Sequence, residues 1–409
     1  MIKPNIRQIT NYLLAICVIL FLFSCKPDTF KNKDHLIFRY NEYANLNTLD
    51  PAFSRTLQDN SACNQLFNGL VQLDSDLNIL PCIAKNWNVS DDGLFYTFTL
   101  RNDVNFHKHK LFGKDSTRTV VAKDFEYSLN RLRDKKIAAP GSWVLNKVKD
   151  FKAINDSIFQ IELKQPFPAF IGLLTMKYTS VVPHEIVEYY GTEFRSHPIG
   201  TGPFKFKRWE ENIKLVFRKN ENYFEKDKNG IQLPYLEAVA ITFLPDKQSE
   251  FLQFIQGNLD FLNSLDASYK DELLTADGRL RNSYSTVINM IRGPYLNTEY
   301  LGFYLDSESP EIKSELIRKA INYGFDRKKM MIYLRNGIGN PANGGFIPIG
   351  LPGYDTSNGF SYQPKKAKQL VKEFKKESGI ENPEITLTTT SNYLSFCEFI
   401  QRELEKTGL

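Results

Sequence analysis

The sequence lacks the features that mark several classes of protein. The apolar run at its start, residues 12–23, has only twelve residues, and a helix needs about 20 to cross a bilayer. Its 52 basic and 47 acidic residues are spread almost evenly and leave a net charge of +5, which excludes a nucleic-acid-binding footprint. It contains no nucleophile elbow, and residues 337–341 lack the lysine and serine of a phosphate-binding loop.

What is present is enough apolar material for two or three domains. The chain has 409 residues, of which 42% are hydrophobic and 13% aromatic. This composition lies well above that of disordered chains and supports substantial cores.

The N-terminus has the three parts of an export signal. Lys3 and Arg7 supply positive charge, the apolar run follows, and Leu22-Phe-Ser-Cys25 closes it as a lipobox. The sequence therefore predicts that residues 1–25 are a lipoprotein signal and that Cys25 becomes an acylated N-terminus. More than one acyl chain makes such anchoring stable. Residues 26–34 are predicted to be a tether.

Cysteines are few. Of the 5, Cys17 lies in the apolar part of the signal and Cys25 is the predicted lipidation site, which leaves Cys63, Cys82 and Cys397. The extracytoplasmic compartment permits a disulfide, and Cys63 with Cys82 is the only short-range pair. Buried free thiols are the preferred interpretation, and no spacing resembles a zinc site.

Alternating and helical apolar patterns predict a mixed α/β chain. Asp91-Asp-Gly93 signals a hairpin before the alternating residues 94–101. The predicted strands are residues 36–40, 94–101, 158–163, 215–218, 239–244 and 384–390. The predicted helices are residues 58–70, 119–133, 246–256, 311–323, 327–334, 365–377 and 393–406.

A glycine turn enters a strand directly at Pro198-Ile-Gly-Thr-Gly-Pro-Phe204. Each proline fixes its φ, and the glycines are expected to give the backbone access to positive φ. The turn thus predicts a rigid structural element with a ligand nearby.

That turn belongs to an ordered set of short motifs. The set comprises Asn68-Gly-Leu70, Pro81, Ala84-Lys-Asn-Trp87, Asp92-Gly93, Tyr96-Thr-Phe-Thr-Leu-Arg101, Val104-Asn-Phe-His107, Ala122-Lys-Asp124, Tyr127-Ser128, Arg131, Pro198 to Phe204, Asn220-Glu-Asn-Tyr223, Gly257-Asn-Leu-Asp260, Tyr300-Leu-Gly-Phe303, Arg318-Lys-Ala-Ile321 and Pro341-Ala342. Trp87, Tyr96 and Phe98 are predicted to pack, and Arg101 and Arg131 to form structural ion pairs. Through this ordered set the chain resembles the family 5 solute-binding proteins of ABC importers.

The resemblance implies an α/β fold of the periplasmic binding protein type II, with two lobes around a hinge and an extra inserted domain. The implied division is a first lobe of residues 35–70 plus 184–296, an inserted domain of residues 71–183, and a second lobe of residues 297–409.

It also implies a binding protein rather than an enzyme, without a cofactor or metal. Such a monomeric, lipid-anchored protein captures short peptides outside the cytoplasm and delivers them to an ABC permease and ATPase. The peptide main chain pairs in the cleft as an added strand.

Carried over by position, the resemblance implies six ligand-contacting residues. Arg55, Thr56 and Leu57 would edge the cleft, Trp143 would approach it from the inserted domain, and Asn297-Thr298 would enter from the second lobe. Arg55 replaces an acidic residue found in some oligopeptide binders, so the charge of the ligand is open. A surface or packing role is the alternative for each residue.

Family members continue well beyond the position of Leu409, so the second lobe is expected to be incomplete. The missing part would hold the carboxylate that meets the α-amino group of the peptide. This form of 409 residues is therefore expected to bind peptide weakly or not at all, and micromolar binding by calorimetry would contradict that expectation.

Two alternatives stay open. The same fold could bind a nickel complex, haem or an oligosaccharide, or serve as a surface scaffold with no importer. A secreted metal-dependent hydrolase could use His107 and His109, which alternate along one face of a strand, although no third ligand is evident.

Overall fold

The computed structural model describes residues 36–263, 265, 269–293, 295–355, 357, 359–390 and 393–409. The predicted signal, the tether and Cys25 lie outside these residues. The chain divides after Asn263 into two compact units. The five-part domain division predicted from the sequence stays a prediction.

One sheet of the first unit contains strands from the beginning and from the end of that unit. The strands are β1 (Ile37–Glu42), β8 (Phe204–Glu210), β9 (Lys214–Lys219) and β10 (Ala238–Phe243), and the helix α1 is Leu57–Leu66. The strand order is β1-β10-β9-β8, in which β1 and β10 are parallel and the other pairs antiparallel. The apolar face of the sheet packs on α1 around Phe67, Phe194 and Phe217, which are fully buried.

A second four-stranded sheet of the first unit is fully antiparallel. Its strands are β4 (Ala84–Val89), β5 (Phe95–Leu100), β6 (Val148–Asn155) and β7 (Ile158–Leu163); the helix α2 is Ala122–Arg133, and β2 (Val71–Leu73) with β3 (Ile79–Pro81) forms a separate pair. The strand order is β4-β5-β7-β6. The predicted hairpin joins β4 and β5, where Gly93 has φ +69°. Alternate residues of β5 point into a core that α2 closes with Phe125.

Short helices connect these layers in the first unit. Asp246 begins one of them as predicted, because its carboxylate accepts from the N–H of Ser249, and Gly257 follows its end with φ +76°. These helices are α3 (Phe170–Leu173), α4 (His184–Tyr190) and α5 (Lys247–Ile255), and 3₁₀ turns span Pro51–Phe53, Lys110–Phe112, Pro140–Leu145, Lys177–Thr179 and Gly191–Ser196.

The described residues of the second unit form helices and irregular segments. Ile317, Val371 and Phe374 form its core together with Leu404. The helices are α6 (Lys270–Leu273), α7 (Pro310–Lys313), α8 (Glu315–Gly324), α9 (Arg327–Arg335), α10 (Pro364–Ser378) and α11 (Leu394–Glu405).

Two predicted elements are wrong. The helix predicted to end at Leu70 ends at Leu66, because the carbonyls of Asn68 and Gly69 instead accept from Val181 and Ile83. Residues 384–390 form no strand, because the second unit as described contains no strand that could pair with them. The helix predicted at residues 311–323 is divided into α7 and α8, because Ser314 between them has extended backbone. The other predicted helices and strands form, with shifted ends.

Candidate functional site

The predicted loop Arg55-Thr56-Leu57 starts from a rigid turn. Asp50 caps the 3₁₀ turn Pro51–Phe53 by accepting from the N–H of Ala52 at 3.1 Å. The same carboxylate binds both terminal nitrogens of Arg131, one of them at 2.9 Å, and both side chains are at least nine-tenths buried. This structural ion pair of Arg131 was predicted, and it fixes the start of the loop to α2.

Thr56 has a structural role in this loop. Its hydroxyl accepts from the N–H of Asp59 at 3.1 Å, and the carboxylate of Asp59 accepts from the N–H of Thr56 at 3.2 Å, a capping box that begins α1. Asp59 is buried and also accepts from the N–H of Asn47 at 2.9 Å. The loop therefore leaves its turn and enters the helix through fixed hydrogen bonds at both ends.

Between these two anchors the chain exposes backbone and side chains. Within the part of the chain that the structure describes, the N–H and C=O groups of Arg55 have no hydrogen-bond partner, and neither has its guanidinium. Leu57 is 62% exposed. The segment thus offers an unpaired donor and acceptor of the main chain next to a cation and an apolar side chain.

Trp143 lies on a neighbouring turn and is 47% exposed. Its turn, Pro140–Leu145, contacts both Pro51–Phe53 and Lys177–Thr179. Gly141 makes this approach possible, because a Cβ there would lie 2.2 Å from the ring of Tyr178. Three short turns thus bring the segments of Arg55 to Leu57 and Trp143 to one region of the first unit.

Lys177, on the third of these turns, was not predicted from the sequence. Its ammonium group has no hydrogen bond or ion pair with the described residues, and its side chain is only partly exposed. Burial lowers the pKa of Lys177, and the nearby groups are the thiols of Cys82 and Cys63, whose own pKa values burial raises. Lys177 could have been noticed in the sequence because it is the single charged residue among residues 165–183.

The glycine turn at residues 198–204 packs directly on the C-terminus of α1. A Cβ on Gly200 would lie 2.1 Å from the carbonyl oxygen of Leu66, and one on Gly202 would lie 2.5 Å from that of Gln65. Neither glycine has a positive φ, so the predicted reason for them is wrong. They are needed because the two backbones meet with no room for a side chain.

His107 holds this turn from the other side. The N–H of Gly200 donates to its Nδ1 at 3.3 Å, and its Nε2–H donates to the carbonyl of Gly202 at 3.0 Å. The ring is fully enclosed, and burial lowers its pKa to about 4. The neutral imidazole is therefore a structural clamp.

The family motifs converge on the same turn. Thr201 donates to the side-chain carbonyl of Asn68 at 2.9 Å, and the amide of Asn220 donates to the carbonyl of Gly202 at 2.9 Å. Asn68 also donates to the hydroxyl of Tyr223 at 3.4 Å. These residues, which are far apart in the sequence, form one buried polar network that stabilises the first unit.

The second-unit candidates, Asn297 and Thr298, lie in irregular backbone; Asn297 is exposed and Thr298 is partly exposed. The ligand contacts of all six candidate residues stay a prediction. Two further motif residues form ion pairs: Arg101 with Asp103 at 2.7 Å, as predicted, and Asp260 with Arg39 at 3.5 Å.

The two histidines of the hydrolase alternative are engaged within the protein. His109 accepts from the N–H of Leu111, so its Nε2–H donates to the hydroxyl of Tyr190 at 3.2 Å. The described residues contain no cluster of three histidine, cysteine or acidic side chains suited to a metal ion. Cys63, Cys82 and Cys397 are free thiols. No helix in the described part of the chain is long and apolar enough to span a membrane.

Comparison with known proteins gives relatives along most of the chain. The glutathione-binding protein GsiB of Salmonella choleraesuis is 24% identical over 369 residues, which are 90% of this chain and 67% of the relative. Among solved structures, the periplasmic binding protein DppA from Helicobacter pylori, in complex with the peptide STSA, has 24% identity and a TM-score of 0.76, covering 91% of this chain and 72% of that one. AgaA from A. tumefaciens R10, in complex with agropinic acid, has 26% identity and a TM-score of 0.70, covering 91% and 71%.

These likenesses confirm the predicted periplasmic binding protein fold of type II, and the relatives are binding proteins rather than enzymes. The sequence model of one family, described as bacterial extracellular solute-binding proteins, family 5 Middle, matches residues 78–409. The chain therefore belongs to the family 5 solute-binding proteins, which serve ABC permeases and their ATPases.

Proposed function

We propose that this protein captures short peptides outside the cytoplasm and delivers them to the permease of an ABC importer. The supporting observation is the pair of free main-chain groups at Arg55, beside the exposed side chains of Leu57 and Trp143. An extended peptide can pair its main chain with such groups as an added strand, while exposed apolar side chains receive its side chains.

The ligand is expected to be a peptide because pairing as an added strand requires a ligand with main-chain N–H and C=O groups of its own. The relatives differ in what their names record, namely glutathione, the peptide STSA and agropinic acid. Asn297 and Thr298 are also proposed to contact the peptide.

The test is ligand-detected NMR on the full chain, purified in detergent, because this method registers weak binding. The panel contains tri-alanine, tri-alanine N-methylated at its central amide, glutathione, maltose and the nickel complex of histidine. Saturable binding of tri-alanine and glutathione is expected. The N-methylated peptide should bind at least about 10-fold more weakly, since each good hydrogen bond contributes about 1 kcal/mol and the methyl group also clashes.

Trp143→Ala tests the site itself and should weaken tri-alanine binding. Tyr189→Ala is the matched control, because Tyr189 is an exposed aromatic residue on the separate helix α4. Binding of maltose or the nickel complex in place of every peptide would contradict the proposal.

The protein is also proposed to be a monomeric lipoprotein held on the outer side of a membrane through Cys25. Residues 12–23 and the lipobox after them support this proposal. Cys25→Ser should abolish labelling with radioactive palmitate and release the protein from the membrane fraction. Cys17→Ser, inside the apolar run, should leave both unchanged. Labelling of the Cys25→Ser variant would contradict the anchor.

A further inference from the structure

We propose that Lys177 is the cation of a subsite that binds a carboxylate group of the ligand. This inference rests on the proposed function and adds the charge that the ligand carries. Its basis is the position of Lys177 on the turn that packs against the segments bearing Trp143 and Arg55 to Leu57.

The first step of the argument is the missing counter-charge. A partly buried ammonium group is normally paired, because removing an ion from water is costly. Lys177 has neither an ion pair nor a hydrogen bond among the described residues of its unit. The groups that face it are the thiols of Cys63 on α1 and of Cys82, and burial keeps both protonated by raising their pKa values. No protein anion therefore neutralises it.

The second step is access. Among the side chains of the described residues, the hydroxyl of Ser180 is the one buried nitrogen or oxygen atom without a partner, so the unpaired ammonium group of Lys177 retains contact with the exterior. An external anion can therefore contact it.

The third step is the surrounding chemistry. Arg55 is a second cation without a partner on the adjoining loop, and Trp143 and Leu57 expose apolar surface on the same group of turns. Two cations next to apolar surface fit an anionic group attached to an apolar residue. A carboxylate matches this pattern, since hydrogen bonds to a carboxylate are strengthened by charge.

Two sources of carboxylate are possible in a peptide, its C-terminus and an acidic side chain. The probes are tri-alanine, tri-alanine amide, and the amides of Ala-Glu-Ala and Ala-Gln-Ala. Wild type is expected to bind tri-alanine about 10- to 100-fold more tightly than its amide if the C-terminus is recognised. The same preference for the amide of Ala-Glu-Ala over that of Ala-Gln-Ala would show that the subsite binds an acidic side chain of the peptide.

Lys177→Gln should remove whichever preference wild type shows and leave the affinity for tri-alanine amide within about twofold. Lys207→Gln is the control, because Lys207 is an exposed lysine on the strand β8. If wild type binds acids and amides equally, or Lys177→Gln keeps the preference, the subsite is wrong while peptide binding stands. If wild type binds none of the four peptides, the proposed function fails as well.

A stability measurement separates ligand binding from a structural role. Without ligand, Lys177→Met should raise the midpoint of thermal unfolding, because it replaces an unpaired charge with an apolar side chain of similar length. A lower midpoint for this variant would assign Lys177 to the packing of the unit and overturn the proposal.

Discussion

Arg131 and Asp50 form a buried ion pair that joins α2 to the start of the candidate loop. The guanidinium also lies 5.7 Å from the ring centre of Phe53 and 5.8 Å from that of Phe194. The loop before Arg55 is therefore placed by a side chain from a distant part of the sequence.

Replacing only one partner of this pair should be strongly destabilising. Asp50→Ala leaves the guanidinium buried without its anion, and we expect a loss of about 3 to 5 kcal/mol in the free energy of unfolding. Urea denaturation monitored by tryptophan fluorescence measures this loss.

The control for this prediction is Asp103→Ala, which removes the exposed partner of Arg101 and should cost less than about 1 kcal/mol. The double variant Asp50→Leu with Arg131→Met should recover most of the loss. If Asp50→Ala and Asp103→Ala lower the free energy of unfolding equally, the buried ion pair contributes no more to stability than the exposed one.

The clamp formed by His107 should make the stability depend on pH. The unfolded chain binds a proton on this imidazole below its ordinary pKa of about 6.5, whereas the folded chain does so only near pH 4. The stabilisation is thus complete above pH 6.5 and is lost as the pH falls to about 4, a total of about 3 kcal/mol.

Comparison with His107→Gln isolates this effect from that of the carboxylates. The amide of glutamine can still donate to Gly202 but does not titrate, so the difference in stability between wild type and variant should shrink between pH 7 and pH 4. A difference that stays constant over this range would contradict a buried neutral imidazole.

Gly200→Ala should destabilise the turn that meets α1. Its Cβ would lie 2.1 Å from the carbonyl oxygen of Leu66, so the two backbones must separate at a cost of about 1 to 3 kcal/mol. Gly172→Ala is the control, since the nearest atom to its Cβ would be the Cδ1 of Ile79 at 3.9 Å. Thermal unfolding of both variants tests the difference, and equal midpoints would argue against the close approach.

Thr56→Ala should lower the free energy of unfolding by about 1 kcal/mol, because it removes the hydroxyl that caps α1. Thr56→Ser keeps the hydroxyl and should restore the stability. If ligand affinity falls in both variants while stability recovers in the serine variant, the methyl group of Thr56 contacts the ligand. If the ligand affinity falls only in the alanine variant, together with the stability, the role of Thr56 is to cap α1.

Much of the local structure could be predicted from local patterns. The alternation at residues 158–163 and the Asp-Gly hairpin gave strands where the structure has them, because a period of two and a turn residue with positive φ are local properties. The strand predicted at residues 384–390 is wrong because a strand also needs a partner strand, and a local pattern does not show whether one is present.

The sequence by itself determined the family, the mixed α/β class and the motif residues, since order and spacing are written in the chain. The tertiary structure decided what those residues do: His107 and Gly200, far apart in sequence, meet only because two segments fold together. The role of Lys177 was likewise decided by the tertiary structure. Its lack of a counter-ion depends on every neighbour in space, and a one-dimensional pattern does not contain that information.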